Sequence, residues 1–240
     1  MLIKKKIFVG ILEQRDTILF EYAPSFLKLG INLSPFMLPL QSGIFEDKKQ
    51  TFDGLFGLFN DSLPDGWGCL LLDRYLQKHG LSYYEITPLH RLSIIGTQAP
   101  GALEYEPEST PSEPDFEELK LDVLSAGADK IIQGESSEFL EHLRTLNGST
   151  AGARPKITAL VSKDFKTIKS GRECVENFSP WIIKFSSDSD DRDLGALEYI
   201  YSLMAKEAGI EMPETHLFPS KNSAGHFATK RFDREGKNKI

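Results

Sequence analysis

The sequence predicts an α+β protein built as two units, and three observations carry that reading. Apolar and polar residues alternate in two short runs near the N-terminus, as expected of a half-buried hairpin. An acidic, proline-rich stretch then interrupts the chain near its middle. Beyond it, a loop of small residues precedes segments that read as strand, strand, helix, strand, strand. With 240 residues, 40% of them hydrophobic, the chain can bury a sizeable core.

The first unit is expected over residues 1–107. Ile7-Phe8-Val9 and Thr17 to Tyr22, joined by Glu13-Gln14-Arg15-Asp16, suggest the hairpin, and Ile31 to Leu40 a third strand. Between Phe52 and His79 the apolar spacing becomes helical. Asp61-Ser-Leu-Pro-Asp-Gly-Trp-Gly68 supplies turn and cap residues there, so two helices split by a proline-glycine turn are predicted. A further helix over Ile86 to Ile95 leads into Gly96, and Gly101 to Tyr105 reads as a strand returning to the first sheet. The spacing of Phe52, Phe56 and Phe59 marks a core stripe. Trp67 reads as a buried anchor after a tight turn, with the cap of a pocket as the alternative.

Residues 108–146 read as a connector and linking helices: Pro111 and Pro114 stand among Ser and Glu, then Leu119, Val123, Ile131, Ile132, Phe139, Leu140 and Leu143 return at helical spacing. The second unit covers 147–240. Ile157 to Val161 and Trp181 to Phe185 are predicted strands, Leu194 to Ala208 is a helix ending at Gly209, and His216-Leu-Phe218 and His226 to Lys230 are two more strands.

Composition excludes several functions. A net charge of -7 and a pI near 5.3 do not suit a surface built wholly to grip nucleic acid, so no direct nucleic-acid binding is expected. Cys69 and Cys174 stand far apart without zinc or disulfide spacing, and His79, His90, His142, His216 and His226 lack metal-ligand spacing. No metal site is predicted. The N-terminus has no apolar stretch long enough for a signal peptide, and no run approaches a membrane span, so a soluble cytoplasmic protein is expected.

Two segments point to phosphate chemistry. Ser149-Thr-Ala-Gly-Ala-Arg-Pro-Lys156 has the small residues that let backbone N–H groups approach an anion, with Arg154 and Lys156 adding charge. It matches neither a Walker A loop nor Gly-x-Gly-x-x-Gly, and a polar turn is the plain alternative. Lys184 emerges from the otherwise apolar run Trp181-Ile-Ile-Lys-Phe185, where burying an ammonium is costly unless an anion meets it. In kinases that anion is a phosphate pair and a helical glutamate steadies the lysine. Glu198 is the candidate partner; the alternatives are a solvent-facing edge for Lys184 and a helix-dipole role for Glu198. Lys230-Arg-Phe-Asp-Arg234 follows the last strand, where a kinase N-lobe crosses to its C-lobe; otherwise it is a basic tail.

Taken in order, Tyr22-Ala-Pro24, Leu38-Pro-Leu40, Asp61 to Gly68, Gly101-Ala-Leu103, Ser149 to Lys156, Trp181 to Lys184 and Arg231-Phe-Asp-Arg234 resemble the HipA toxins of bacterial type II toxin–antitoxin systems. The resemblance covers nearly the whole chain. It implies a small N-terminal subdomain followed by a protein-kinase-like N-lobe, ATP and Mg²⁺ as cofactors, and phosphorylation of an aminoacyl-tRNA synthetase that arrests translation. A HipB-like DNA-binding antitoxin is the implied partner. Position by position, Ala151, Gly152, Ala153, Arg154, Pro155 and Lys156 would form the ATP loop, Lys184 the phosphate-binding lysine, and Lys230, Arg231 and Phe232 the adenine hinge. Ser149 matches a serine that is autophosphorylated in the family, where the added charge opposes phosphate binding. The sequence reaches Ile240 before any catalytic aspartate or metal-binding aspartate of a C-lobe, so the expectation is a kinase portion inactive alone. A separate kinase half is then a possible partner, and the uncovered underside of the N-lobe is expected to favour self-association. The alternative is a non-catalytic protein that binds an antitoxin or such a half.

Overall fold

The computed structural model describes residues 6–99, 101–106, 116–135, 138–147, 152–171, 175–187, 190–235 and 238–239. Gly10–Gln14 (β1) and Ile18–Tyr22 (β2) form an antiparallel hairpin with Leu12 opposite Phe20, and Ile44–Glu46 (β3) joins the far side of β2. Alternation along β2 buries Ile18, Phe20 and Tyr22 on one face and leaves Glu21 outside. The hairpin turn is tighter than the polar run Glu13 to Asp16 suggests, since Glu13 and Gln14 stay paired in the ladder; at its other end β1 begins at Gly10, opposite Tyr22, rather than at Ile7.

The third strand is Ile44–Glu46, not Ile31 to Leu40. Pro35 and Pro39 lack the N–H a ladder needs, and the segment keeps only an isolated bridge between Ser34 and Leu38. Leu38 is nonetheless fully buried, and its carbonyl accepts the Tyr22 hydroxyl at 2.9 Å.

Four helices complete the first unit: Pro24–Leu27 (α1), Gly57–Asn60 (α2), Gly66–Lys78 (α3) and Pro88–Ile95 (α4). Proline opens α4 at a position whose N–H would be unpaired anyway, and Thr87 Oγ1 accepts the His90 N–H as its cap. Phe56 and Phe59 enter the core, whereas Phe52 precedes α2 and is 43% exposed, so the three-phenylalanine stripe is shorter than its spacing predicts. Gly101 to Tyr105 forms no strand. It returns to the first core as an irregular segment, with Tyr105 N–H donating to the Gly96 carbonyl and its hydroxyl to Ser62 Oγ at 2.7 Å.

The second unit opens with Leu121–Ile132 (α5) and Leu140–Asn147 (α6). Five antiparallel strands follow, Lys156–Ser162 (β4), Ile168–Lys169 (β5), Phe178–Lys184 (β6), Thr215–Phe218 (β7) and His226–Lys230 (β8), in the order β5-β4-β6-β8-β7. Leu194–Glu207 (α7) lies between β6 and β7 in sequence and packs on β7 and β8; Gly209, at φ +80°, ends it. Arg234–Glu235 (β9) and Asn238–Lys239 (β10) pair as a small ribbon. The fold is α+β with two principal antiparallel sheets. Among the described residues, no helix is long and apolar enough to cross a membrane.

Helix α3 belongs to both units. Leu72 and Leu76 pack with Ile94 and Ile95 of α4, while Trp67 and Leu71 enter the core built from α5, α6 and the face of the five-stranded sheet that carries Ile157, Trp181 and Ile183. This sharing brings the Pro-Asp-Gly-Trp turn against the loop that enters β4.

Candidate functional site

Lys184 ends β6, an interior strand with β4 on one side and β8 on the other, so it is not at a sheet edge. Its neighbours Ile183 and Phe185 face the core, and period-two alternation turns the lysine to the opposite face. There its Nζ lies 3.0 Å from Glu198 Oε1 and 5.6 Å from the centre of the Phe227 ring. Glu198 sits one turn into α7, and the approach of that turn to the sheet depends on Gly195: a Cβ there would lie 2.0 Å from the Gly225 carbonyl oxygen. Glu198 Oε2 is buried and has no hydrogen-bond partner among the described residues.

Lys156 is the register partner of Lys184 across β4 and β6. Two like charges directly opposite each other on a sheet are unfavourable. Lys156 is only 4% exposed and its Nζ donates to the Gly152 carbonyl at 2.9 Å. Burial first, and then the charge of Lys184, push its pKa down to about 8, against the opposing pull of Asp65 and Glu198. Arg154 reaches Asp190 at 3.2 Å, and Asp190 in turn accepts the Ser187 N–H and hydroxyl. Pro155 O accepts the Phe185 N–H at 2.9 Å, which joins the loop to the strand end that carries Lys184. Arg154, Lys184, Phe185, Ser186, Gly195 and Glu198 line a small cleft between loop and helix.

The predicted site residues fall into two groups. Gly152, Arg154, Lys156, Lys184 and Glu198 meet at one end of the sheet, with Ala153 in the same loop. Lys230 is paired with Trp181, three residues before Lys184 along β6, which is roughly 10 Å along the strand. Its ammonium lies 3.5 Å from Glu214; Arg231 forks onto Asp233 at 2.9 and 2.7 Å, and Phe232 is 81% exposed. Ser149 and Ala151 lie outside the described residues, as does Cys174. Cys69 is a free thiol whose pKa burial raises. Among the described residues no three His, Cys, Asp or Glu side chains gather as a metal site.

The loop has partners that sequence spacing does not place. The Gly152 N–H donates to Asp65 Oδ1, the Gly152 carbonyl accepts the Trp67 N–H at 3.4 Å, and Trp67 Nε1 donates to the Lys156 carbonyl at 3.2 Å. The Leu63-Pro-Asp-Gly-Trp-Gly68 motif is the visible signal in the sequence, but nothing in it names a partner nearly ninety residues away.

Comparison with known families assigns both halves. A model of the HipA N-terminal domain matches residues 2–106, and one of the HipA-like C-terminal domain matches residues 148–240. The chain belongs to the HipA family. At family level it is a HipA-like toxin of a toxin–antitoxin pair with a HipB-type antitoxin. No curated protein matches the chain. The HipA N-terminal match contains Asp65 and Trp67, and the HipA-like C-terminal match contains every residue of the loop and the lysine cleft.

Proposed function

We propose that this HipA chain supplies the ATP-gripping part of a serine/threonine protein kinase that phosphorylates an aminoacyl-tRNA synthetase and so arrests translation. The observation that carries the reading is the Lys184–Glu198 pair at 3.0 Å, set on an interior strand and the helix behind it, beside a small-residue loop and opposite Lys156, which is buried. Phosphoryl transfer is catalysed by positioning and by charge stabilisation, and a lysine held by a helical glutamate is the part that orients the α/β-phosphates. The five-stranded sheet with α7 is read as the kinase N-lobe. A nucleotide's phosphates would meet Lys184, Lys156, Arg154 and the N–H group of Ala153, and would relieve the repulsion between the two lysines. Lys230, Arg231 and Phe232 would border adenine. Mg²⁺, when bound with ATP, would neutralise charge on the transferring phosphoryl group; the catalytic base and the metal ligands are assigned to a C-lobe.

The test is transfer of labelled γ-phosphate from MgATP to a panel of aminoacyl-tRNA synthetases, with the chain alone and with a HipA C-lobe added in trans. Transfer only in the reconstituted mixture, abolished by Lys184→Ala, is expected. A reconstitution that is correctly folded yet transfers nothing overturns the kinase reading.

One observation favours a second reading, a non-catalytic interaction protein that binds an antitoxin or a kinase half. Leu197, Ile200, Tyr201 and Met204 form an exposed apolar stripe at helical spacing on α7. Co-purification with a HipB-type antitoxin, without any stabilisation by MgATP, would favour it.

A further inference from the structure

We propose that Asp65, in the N-terminal unit, is a positioning residue for the loop that meets the nucleotide; the inference deepens the ATP-site reading and rests on it. Asp65 stands at the N-cap of α3, where an aspartate ordinarily accepts an N–H from its own helix. It makes no such bond. Its carboxylate instead accepts the N–H of Gly152, so a residue of one unit caps a loop of the other.

Three further contacts show that the approach is built into both units. A Cβ on Gly66 would lie 2.4 Å from Ala153 Cα, a backbone atom that cannot yield by a rotamer change, so only glycine lets α3 begin this close to the loop. The Trp67 backbone N–H and indole N–H then take the Gly152 and Lys156 carbonyls. Gly152 itself has φ +106°, a conformation that L side chains rarely adopt, and its carbonyl accepts the Lys156 ammonium at 2.9 Å. Asp65, Gly66 and Trp67 thus fix both the N–H and the C=O of Gly152, and through the carbonyl the place of the Lys156 ammonium. A loop held in the geometry its ligand needs does not have to be ordered on binding, and affinity gains by that amount. The nucleotide grip accordingly depends on the N-terminal unit, although that unit contributes no cation to the cleft.

Amide hydrogen exchange of residues 152–156 in the full chain, with and without MgATP, tests this for the native protein, Asp65→Ala, Asp65→Asn and Gly66→Ala. Asp65 is exposed, so its replacement should leave the thermal midpoint in place. Asp65→Ala is expected to speed exchange of the segment about tenfold, the value of one lost charge-assisted hydrogen bond, and to weaken MgATP binding by a similar factor. Asp65→Asn keeps an acceptor oxygen and should recover most of the protection. Gly66→Ala should loosen the segment as Asp65→Ala does. Unchanged exchange in Asp65→Ala, or tighter MgATP binding, overturns the proposal. A native chain whose exchange ignores saturating MgATP removes the nucleotide reading instead, while the comparison of exchange without nucleotide still decides whether Asp65 positions the loop.

Discussion

The indole N–H of Trp67 donates to the backbone carbonyl of Lys156 at 3.2 Å, so a residue from the turn that starts α3 holds the first residue of β4. Trp67 is 2% exposed and shares a core with Trp181 of the five-stranded sheet. The two units are therefore joined through packed apolar surface as well as through a connector.

Trp67→Phe removes the indole hydrogen bond and keeps most of the ring, which should cost about 1–2 kcal/mol; Trp67→Ala should cost about 3–5 kcal/mol by leaving a cavity. Urea denaturation checks both. The chain has two tryptophans, both in this core, so native-chain fluorescence follows that core while far-UV circular dichroism follows both units, and the two probes should report one common midpoint. Separate midpoints would mean that the units unfold independently.

Lys156 gives stability an unusual pH dependence on the alkaline side. Its pKa falls from 10.5 to about 8 on folding, so between those values the unfolded chain holds more protons than the folded one. Stability contributed by this group therefore rises with pH across that window, and below it the full cost of a buried ammonium is present. Lys156→Met should stabilise the chain at pH 7, by on the order of 1–3 kcal/mol, and the advantage should shrink as pH approaches 10. Denaturation midpoints measured from pH 7 to 10 decide this; an advantage constant with pH would show that packing, not charge, is responsible.

Arg91 of α4 forks onto Asp73 of α3 at 2.8 and 3.0 Å, with both side chains more than four-fifths covered. Loss of either partner strands a largely covered charge, so Arg91→Ala and Asp73→Ala should each destabilise by about 1–3 kcal/mol, and the double variant by less than their sum. Arg91→Lys should not restore stability, because an ammonium cannot make the paired bonds of a guanidinium. A double-mutant cycle in urea gives the coupling; strict additivity would contradict the paired geometry.

Much of the fold is written locally in the sequence. Alternation in Ile18 to Tyr22 specifies a strand with one buried face, and the spacing from Leu194 to Glu207 with Gly209 after it specifies α7 and its end. Where the reading of the elements fails, the structure owes its form to longer-range packing. Leu38 is buried by its loop folding onto Tyr22 and not by strand pairing, and Tyr105 returns to the first core through Ser62 and Gly96. Within the candidate site, Lys184 is conspicuous because an ammonium interrupts an apolar run. Asp65 is not, because its contact with Gly152 arises only once α3 has packed against the second sheet. Periodicity reports which face of an element is buried, but not which distant loop it meets.

Lys184 is proposed to face the phosphates of ATP. Treating the full chain with an acyl-phosphate derivative of ATP, whose acyl carbon is attacked by a nearby lysine amine with release of ATP, and mapping the modified peptides by mass tests it directly. Lys184 should be acylated well ahead of exposed lysines such as Lys48 and Lys163, and excess MgATP should suppress its labelling. Labelling that is uniform over exposed lysines and indifferent to MgATP would contradict the account.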